Sequence, residues 1–218
     1  GAGRVRVGGP GVGIGAPGGR AWRGEVGGAG LVHRTADVLS GAVNPSGSVL
    51  LFDEMGQHNA ASVAEVMATR GCLVEMATHD RFIAQEVGTT NQPVHLREMY
   101  KLGVVMSPNM ELREVSREGN RLVAVLRNTM TDTEEERLVD HVIVECGRLP
   151  REALYMELKK ASINHGQTDL PMLLQGRTQP AVEGLKNGEY ALFRIGDAVA
   201  GRNIHAALYD ALRLCKDF

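Results

Sequence analysis

The chain has 218 residues and a mass of 23.5 kDa, enough for one ordinary domain or for one domain and part of a second. Hydrophobic residues make up 43% of the chain and charged residues 23%, values that exclude wholesale disorder. The net charge is −2, and the longest block of like charge is the acidic run at residues 134–136, which argues against a nucleic-acid or anionic-membrane partner. No apolar run approaches the roughly 18 residues of a membrane span.

The cysteines and histidines do not form a recognisable disulfide or metal pattern. The three cysteines lack a C-x-x-C pair, which disfavours a disulfide framework, a zinc site and a self-contained iron–sulfur site. The seven histidines lack the H-x-x-x-H and H-E-x-x-H spacings, so the sequence predicts no metal site. Cys72 and Cys146 lie in apolar, strand-like sequence, and no secretory signal is recognisable, so we expect a reduced, cytoplasmic protein.

The first 34 residues differ in composition from the rest of the chain. Thirteen of the 27 glycines lie in residues 1–30, where they oppose helix formation and leave no apolar period. Residues 13–18 match the phosphate-binding pattern G-x-G-x-x-G, but the flanking sequence predicts neither the strand nor the helix that such a loop needs. We therefore expect residues 1–34 to be a flexible extension, with no regular secondary structure in residues 1–30.

A βαβ unit is predicted after this extension. Residues 48–52 form a continuous apolar run typical of a buried parallel strand, and residues 60–70 are rich in helix formers, with Gly71 as the C-cap. A second apolar run follows at residues 72–77. Strand, helix and strand within about 30 residues indicate a right-handed unit of a parallel sheet covered by helices. The pattern continues with a helix and a strand at residues 93–102 and 104–106.

The next stretch changes to alternation of apolar and polar residues. Three such segments, separated by turns, predict an antiparallel meander at residues 111–115, 121–127 and 136–144. The remainder predicts a helix, a strand and a final helix at residues 152–159, 190–195 and about 204–216. A β-meander combined with a βαβ sheet makes the predicted fold class α/β.

Two landmarks resemble those of flavoprotein reductases with two dinucleotide-binding domains. Residues 142–150, VIVECGRLP, resemble the last strand of the inserted domain, which ends in a G-x-x-P turn. Residues 195–198, IGDA, followed by a helix, resemble the second flavin motif, in which an Asp after Gly contacts the cofactor. The resemblance implies a Rossmann-like, FAD/NAD(P)-binding, three-layer fold with an antiparallel β-meander. It implies an NAD(P)-binding-like domain at residues 35–150 and a C-terminal segment of an FAD/ADP-binding-like domain at residues 151–218.

Longer phrases narrow the resemblance to one group. Residues 38–41, 201–207 and 209–213 look like the C-terminal nucleotide-binding region of the trimethylamine dehydrogenase and 2,4-dienoyl-CoA reductase group, which includes NADH:flavin oxidoreductases and N-demethylases. Members of the group add an FMN-binding TIM barrel and a [4Fe–4S] cluster, and the resemblance covers roughly residues 36–218. It implies a flavoprotein oxidoreductase whose barrel, FMN and cluster lie outside this chain. The implied partners are that barrel, as a domain or a subunit, and an electron-transfer flavoprotein.

The resemblance also assigns cofactor-binding residues. Gly196, Asp197 and Ala198 are expected to contact FAD or ADP, and Arg202 and Asn203 lie where the next helix begins and its amides can face phosphate. In the family this site is built from two separated segments, and only the C-terminal segment is recognisable here. No residue is assigned a catalytic role, so we expect no turnover from this chain alone.

The positions that bind NAD(P) in such folds depart from the family pattern here. The three fingerprint glycines fall at Met55, Gln57 and Ala60, and the ribose-binding acidic position falls at Thr78. Side chains at the first two positions crowd the approach of a pyrophosphate, and a threonine cannot accept hydrogen bonds as a carboxylate does. We therefore expect NAD(P) not to bind tightly. The resemblance is then to the amine dehydrogenases, which hold ADP as a structural nucleotide.

Three acidic residues near these motifs have plainer interpretations. Asp53 and Glu54 follow the first strand of the βαβ unit, where ligands of parallel sheets collect, but we interpret them as solvated turn carboxylates. His205 and Asp210 are five residues apart on the last predicted helix, which places them too far round it to form a working pair.

The sequence leaves a second class of function open. The chain can instead be a non-catalytic nucleotide-binding or interaction module that docks a catalytic or electron-transfer partner. The two hypotheses differ in whether a gene for the barrel adjoins this one or is continuous with it. Finding such a gene would favour the oxidoreductase.

Overall fold

Two compact units make up the chain, Gly1–Gly147 (unit 1) and Arg148–Phe218 (unit 2). The computed structural model describes residues 4–6, 31–148 and 150–215. Within these ranges, no helix has both the length and the apolar character needed to cross a bilayer.

A five-stranded parallel sheet forms the centre of unit 1. In spatial order its strands are Val32–Arg34 (β2), His141–Glu145 (β9), Ser48–Asp53 (β3), Leu73–Thr78 (β4) and Val105–Ser107 (β5). The central strand β3 is buried from its second residue to its last. A parallel strand covered on both faces needs apolar side chains throughout, which is why the run at residues 48–52 folds as this strand. The predicted strands of the βαβ unit are confirmed.

Helices cover one face of this sheet. They are Thr35–Leu39 (α1), His58–Thr69 (α2) and Gln92–Lys101 (α3). Val49 and Leu51 of β3 pack in one apolar cluster with Val63 and Met67 of α2 and with Met99 of α3. The predicted helices at residues 60–70 and 93–102 are therefore confirmed, each beginning slightly earlier than the sequence pattern indicated.

A glycine ends α2 as the sequence predicts. Gly71 has φ +88°, in the left-handed region that a residue with a side chain rarely adopts. Its N–H donates to the Ala68 carbonyl at 2.9 Å, and the Cys72 N–H donates to the Met67 carbonyl at 3.1 Å. This pair of bonds is a Schellman motif, which satisfies the last carbonyls of the helix and turns the chain into β4.

An antiparallel sheet covers the other face of the parallel sheet. In spatial order its strands are Arg4–Arg6 (β1), Met110–Glu118 (β6), Arg121–Asn128 (β7) and Glu134–Val139 (β8). Leu50 and Phe52 of β3 point away from the helices and pack with Leu112, Leu122 and Leu126 of this sheet. Helices, parallel sheet and meander thus form three layers, and the alternation of side chains along β3 joins them.

The last predicted strand of the meander is divided between the two sheets. The sequence predicted one strand at residues 136–144, but β8 belongs to the antiparallel sheet and β9 to the parallel sheet, with Asp140 between them. The Asp140 Oδ2 accepts from the N–H and from the hydroxyl of Ser48, both at 2.7 Å. These hydrogen bonds connect the residue between β8 and β9 to the start of β3. Ser48 is 92 residues away in the sequence, so the alternation of side chains does not indicate this contact.

Two short strands lie in the part of the chain that was expected to be an extension. Strand β1, at Arg4–Arg6, pairs antiparallel with β6, and β2, at Val32–Arg34, pairs parallel with β9. The prediction of no regular structure in residues 1–30 is therefore wrong for residues 4–6, because the edge of a sheet offers unpaired backbone groups to any extended segment. The match at residues 13–18 lies outside the described residues.

Short helices and loops make up unit 2. They include Ala153–Leu158 (α4), Leu170–Leu174 (α5), Pro180–Glu183 (α6), a single 3₁₀ turn at Gly196–Ala198, and Ile204–Cys215 (α7). The helices predicted at residues 152–159 and 204–216 are confirmed. The strand predicted at residues 190–195 is wrong. A side-chain amide takes the place of a neighbouring strand there, since Asn164 accepts from the Leu192 N–H at 2.9 Å and donates to its carbonyl at 2.8 Å.

The apolar side chains of unit 2 are largely exposed. Among residues 150–215 no bulky apolar side chain is fully buried. On α7, Ile204, Leu208 and Leu212 expose 77%, 65% and 64% of their surface. Residues four apart lie on one face of a helix, so these three form a continuous apolar stripe.

Candidate functional site

Acidic residues gather where the strands of the unit 1 sheet end. Asp53 at the end of β3 lies in register with Thr78 at the end of β4 and with Glu145 at the end of β9. The carboxyl ends of parallel strands are where ligands bind in open α/β sheets. We call this cluster, made of Asp53, Glu54, Glu145 and Cys146, the strand-end acid cluster.

Asp53 is fully buried, so its interpretation as a solvated turn carboxylate is wrong. Its Oδ1 accepts from the N–H groups of Met55 and Gly56, at 2.9 and 3.1 Å, and its Oδ2 has no hydrogen-bond partner among the described residues. Burial raises the pKa of Asp53 to about 7, and the negative charge of Glu145 adds to this against the effect of the two amides. Near neutral pH this carboxyl group is therefore protonated in a large fraction of the molecules.

Glu54 is half-buried beside Asp53 and behaves in the same way. Burial raises its pKa to about 8, and the charges of Glu111 and Asp53 add to the rise. A hydrogen bond with the Cys146 thiol acts in the opposite direction. Burial also raises the pKa of Cys146, so the thiol stays protonated near neutral pH.

Glu145 connects three elements around the cluster. Its Oε2 accepts from the hydroxyl of Thr35 at the start of α1 and from the Asn59 amide of α2 at 3.3 Å. Its Oε1 accepts from the Gly147 N–H at 3.2 Å. Each oxygen of this buried carboxylate is thus hydrogen-bonded, and the residue fixes the strand end against both helices.

The side chains at the fingerprint positions have separate local surroundings in unit 1. A Cβ added at Gly147 would lie 2.8 Å from the Met55 sulfur, so Met55 packs directly against the backbone of the strand end. Ala60 and Thr78 are fully buried, and the Thr78 hydroxyl accepts from the Asp80 N–H at 3.2 Å. Gln57 is the N-cap of α2 without a side-chain capping bond.

The five residues assigned to FAD or ADP lie together in unit 2. Gly196 is buried with φ +57°, and a Cβ there would lie 3.2 Å from the Ala207 Cβ of α7. Its N–H donates to the Asp210 Oδ2 at 3.0 Å. The close approach of the turn to α7 explains why this position holds glycine.

Asp197 is exposed at the centre of this turn. Its Oδ1 accepts from the backbone N–H of Arg202 at 3.5 Å. The carbonyl of Ala198 lies 3.5 Å from the Arg194 guanidinium. The Arg202 guanidinium forms an ion pair with Asp210, so its charge is partly neutralised. The carboxylate of Asp197 remains accessible to a hydroxyl donor, which fits a ribose or ribityl group.

Asn203 immediately precedes α7. Its side-chain oxygen accepts from the Ala206 N–H at 2.9 Å, and its carbonyl accepts from the Ala207 N–H at 3.2 Å. This is N-cap geometry, and it occupies one of the amides that the sequence assigned to phosphate. The amides of Ile204 and His205 belong to the same first turn, where the helix dipole favours an anion.

Sequence reasoning missed the residues that support this turn. Asp210 was considered only as a partner of His205, but it binds Arg202 and the Gly196 amide. Its position three residues after Ala207 places both on the face of α7 that meets the turn, and this spacing could have indicated the contact. Arg194 stacks on the Tyr155 ring at 4.1 Å and pairs with Glu152, an arrangement across 42 residues that local spacing does not show.

Metal-ligand clusters are not evident in the described ranges. Among residues 4–6, 31–148 and 150–215, no group of three or more histidine, cysteine, aspartate or glutamate side chains is arranged to hold an ion.

Comparison with known proteins finds relatives that are similar to most of the chain. The chain is 46% identical over 191 residues to the N,N-dimethylglycine/sarcosine dehydrogenase of Chromohalobacter salexigens and 42% identical over 187 residues to the probable N-methylproline demethylase of Rhizobium meliloti. Each match covers 86% of the chain but only 28% and 27% of the relative, so the chain spans about a quarter of their length. No family model matches it.

Solved structures show the same fold in flavoproteins. The amine oxidase HisD of Pseudomonas geniculata N1 has a TM-score of 0.62 at 22% identity and matches 88% of this chain and 25% of its own. Thioredoxin reductase of Lactococcus lactis has a TM-score of 0.59 at 16% identity, over 91% of this chain and 61% of its own. The flavoprotein disulfide reductase RclA of Escherichia coli has a TM-score of 0.57 at 14% identity, over 91% and 43%. The predicted Rossmann-like, FAD/NAD(P)-binding fold class is confirmed.

Proposed function

We propose that the chain is the C-terminal nucleotide-binding part of an FMN- and iron–sulfur-dependent oxidoreductase of the amine dehydrogenase or N-demethylase type. The observation that carries this proposal is the 46% identity of most of the chain to about a quarter of a longer dimethylglycine/sarcosine dehydrogenase. The catalytic barrel, as a domain or a subunit, is the partner of this part, and an electron-transfer flavoprotein is the electron acceptor. FMN and the cluster supply the redox chemistry in that barrel, so this chain alone has no turnover.

The role of this chain's own residues is to hold FAD or ADP in unit 2. The Asp197 carboxylate accepts hydrogen bonds from ribose or ribityl hydroxyls, and Gly196 allows the backbone to approach the ligand. The amides of Ala198 and of the first turn of α7 after Asn203 face the phosphates, where Arg202, held by Asp210, adds positive charge. These residues form one half of a nucleotide site.

The exposed stripe on α7 supports the view that this half-site needs a second half. Ile204, Leu208 and Leu212 expose more than half of their surface, which is unusual for three aligned apolar residues of one helix. The alternative function, a non-catalytic module that docks a catalytic or electron-transfer partner, rests on the same stripe. Nucleotide binding at Asp197 separates the proposed function from a pure interaction module, and turnover beside a catalytic barrel separates it from a non-catalytic nucleotide-binding module.

The decisive experiment is a chimera in which this chain replaces the matching part of the C. salexigens dehydrogenase. We expect the chimera to bind ADP or FAD in calorimetric titrations and to oxidise dimethylglycine or sarcosine, and the isolated chain to do neither. In the chimera, Asp197→Ala is expected to weaken nucleotide binding by about 1–3 kcal/mol, the effect of losing a hydrogen bond to a charged group.

Asp169→Ala is the matched control for this variant. Asp169 also accepts a backbone N–H in unit 2, from Met172 at 2.9 Å, but it lies in a different loop from the proposed nucleotide site. We expect it to leave nucleotide affinity unchanged. Equal affinity in wild type and Asp197→Ala would assign Asp197 to the turn alone and favour the docking module.

We also propose that unit 1 does not bind NAD(P) tightly. Titration of the chain with NADH and NADPH is expected to show no saturation at sub-millimolar concentration, because Met55 packs on the Gly147 backbone and buried carboxyl groups surround the strand ends. Met55→Gly is expected to leave the result unchanged, since the acid cluster remains. A micromolar dissociation constant that is lost on changing Thr78 would show that the crevice is a working dinucleotide site.

A further inference from the structure

Two histidines that are far apart in sequence meet on the surface of unit 1. His58 is the first residue of α2 and His95 lies in α3, 37 residues later. The His58 Nδ1 lies 3.0 Å from the His95 Nε2, and the ring planes are inclined by 60°. The spacing of these residues in the sequence gives no indication of this contact.

A carboxylate fixes the second of these rings from behind. The Glu65 Oε1 lies 2.7 Å from the His95 Nδ1. His58 and Glu65 are seven residues apart on α2, which places them on the same face two turns apart, and the His95 ring of α3 lies between them. Because a carboxylate accepts, the His95 Nδ1 carries the proton, and in the neutral ring the Nε2 presents its lone pair toward His58.

We infer that His58 and His95 form a two-histidine site for a divalent transition-metal ion such as Zn²⁺ or Ni²⁺, with Glu65 as the positioning residue. Metal–imidazole bonds of about 2.0–2.1 Å at a tetrahedral angle place two nitrogens roughly 3.3 Å apart, close to the separation here. The carboxylate–histidine–metal arrangement is the usual outer contact of a ligating histidine. This inference does not rest on the proposed function.

The ion replaces the proton that the two rings share. The proton on the His58 Nδ1 moves to its Nε2, the exposed His58 ring turns so that both lone pairs converge on the ion, and water completes the coordination. The positive end of the α2 dipole lies at His58 and opposes a cation, whereas the Glu65 carboxylate offsets it. With two protein ligands, the site binds more weakly than a structural zinc site.

The test is calorimetric titration of the whole chain with ZnCl₂ and, separately, NiCl₂ at neutral pH. We expect one ion per chain at the strongest site, at least tenfold weaker binding in His58→Ala and in His95→Ala, and about tenfold weaker binding in Glu65→Gln. Glu65→Gln keeps an oxygen that accepts from His95 but removes the charge, so it tests positioning without removing a ligand. Circular dichroism of each variant checks that it is folded.

Two controls decide between this site and other histidines. His205→Ala removes an exposed histidine of α7 and is expected to leave affinity unchanged within about twofold. His33 and His141 on β2 and β9 form a second pair with the same 3.0 Å separation, but it is part-buried. The Leu31 backbone hydrogen-bonds to His141, and the Asp37 and Asp140 carboxylates act on the pair through their charge. Unchanged affinity in His58→Ala and His95→Ala, or loss in His33→Ala instead, would overturn the inference and leave His58 and His95 as a hydrogen-bonded pair.

Discussion

Unfolding of unit 1 is expected to become easier as the pH rises from about 4 to about 8, and Asp53→Asn is expected to remove much of that dependence. Burial raises the pKa of Asp53 from 3.8 to about 7 and that of Glu54 from 4.5 to about 8. Between these values the folded protein holds protons that the unfolded chain has released. For Asp53 the difference corresponds to on the order of 4 kcal/mol of stability.

The sign follows from proton counting. The free energy of unfolding falls with pH wherever the folded state binds more protons than the unfolded state. The stabilising contribution of these two groups is therefore fully present below about pH 4 and is lost as the pH rises through their folded pKa values. Asp53→Asn stays neutral at every pH and keeps the oxygen that accepts from the Met55 and Gly56 amides. It is expected to be more stable than wild type at about pH 9 and similar at about pH 3, below the unfolded pKa of the aspartate.

Urea unfolding followed by circular dichroism at several pH values checks this prediction. Asp140→Asn is the matched control, because hydrogen bonds from Ser48 lower the pKa of Asp140. A group with a lowered pKa stabilises above its unfolded value and loses that contribution as the pH falls, so this variant is expected to be destabilised at neutral pH. An Asp53→Asn variant less stable than wild type at about pH 9 would show that the buried carboxyl is held ionised by contacts other than the two amides.

Local sequence patterns predicted those elements of unit 1 that require no specific partner residue. The strand at residues 48–52 and the helix before Gly71 require only apolar neighbours, and Gly71 requires only a backbone angle that glycine adopts easily. The class of fold followed from the order of these elements. Each of these features is decided within about a dozen residues.

Features that depend on distant partners could not be predicted in the same way. Asp53 was predicted to be a solvated turn residue because the neighbouring strand β9, which helps to bury it, lies more than 80 residues later in the sequence. The break at Asp140 depends on Ser48, and the alternation of side chains runs through it unchanged. Residues 190–195 were predicted as a strand because apolar extended sequence does not reveal whether a neighbour exists, and Asn164 takes that role in unit 2.

The candidate nucleotide-binding residues include both features that local sequence predicts and features that depend on distant partners. Gly196 and Asp197 were found by a motif whose members are contiguous, and the turn at Gly196–Ala198 brings them together. The ion pair that fixes Arg202 comes from Asp210, on the far side of a helix boundary. The motif therefore predicted residues that lie together in one turn, whereas the contacts that support the turn required the structure.

Glu145→Gln is expected to destabilise unit 1 by about 1–3 kcal/mol and to lower the pKa of Asp53. Glu145 is 7% exposed and accepts from Thr35, Asn59 and Gly147, and an amide side chain has only one oxygen for these donors. The variant also removes the negative charge that helps to raise the pKa of Asp53. Urea unfolding measures the first effect, and carbon-13 NMR titration of the Asp53 carboxyl measures the second.

The two effects separate a hydrogen-bonding role of Glu145 from an electrostatic one. Glu145→Ala leaves all three donors without their acceptor and is expected to cost more than Glu145→Gln, but both variants remove the same charge and are expected to lower the pKa of Asp53 equally. Glu135→Gln is the surface control, since Glu135 is exposed and pairs with Arg137, and an effect within about 0.5 kcal/mol is expected. An unchanged pKa of Asp53 in both Glu145 variants would mean that the Glu145 charge does not contribute to it. Asp53 and Glu145 would then be electrostatically independent members of the strand-end acid cluster.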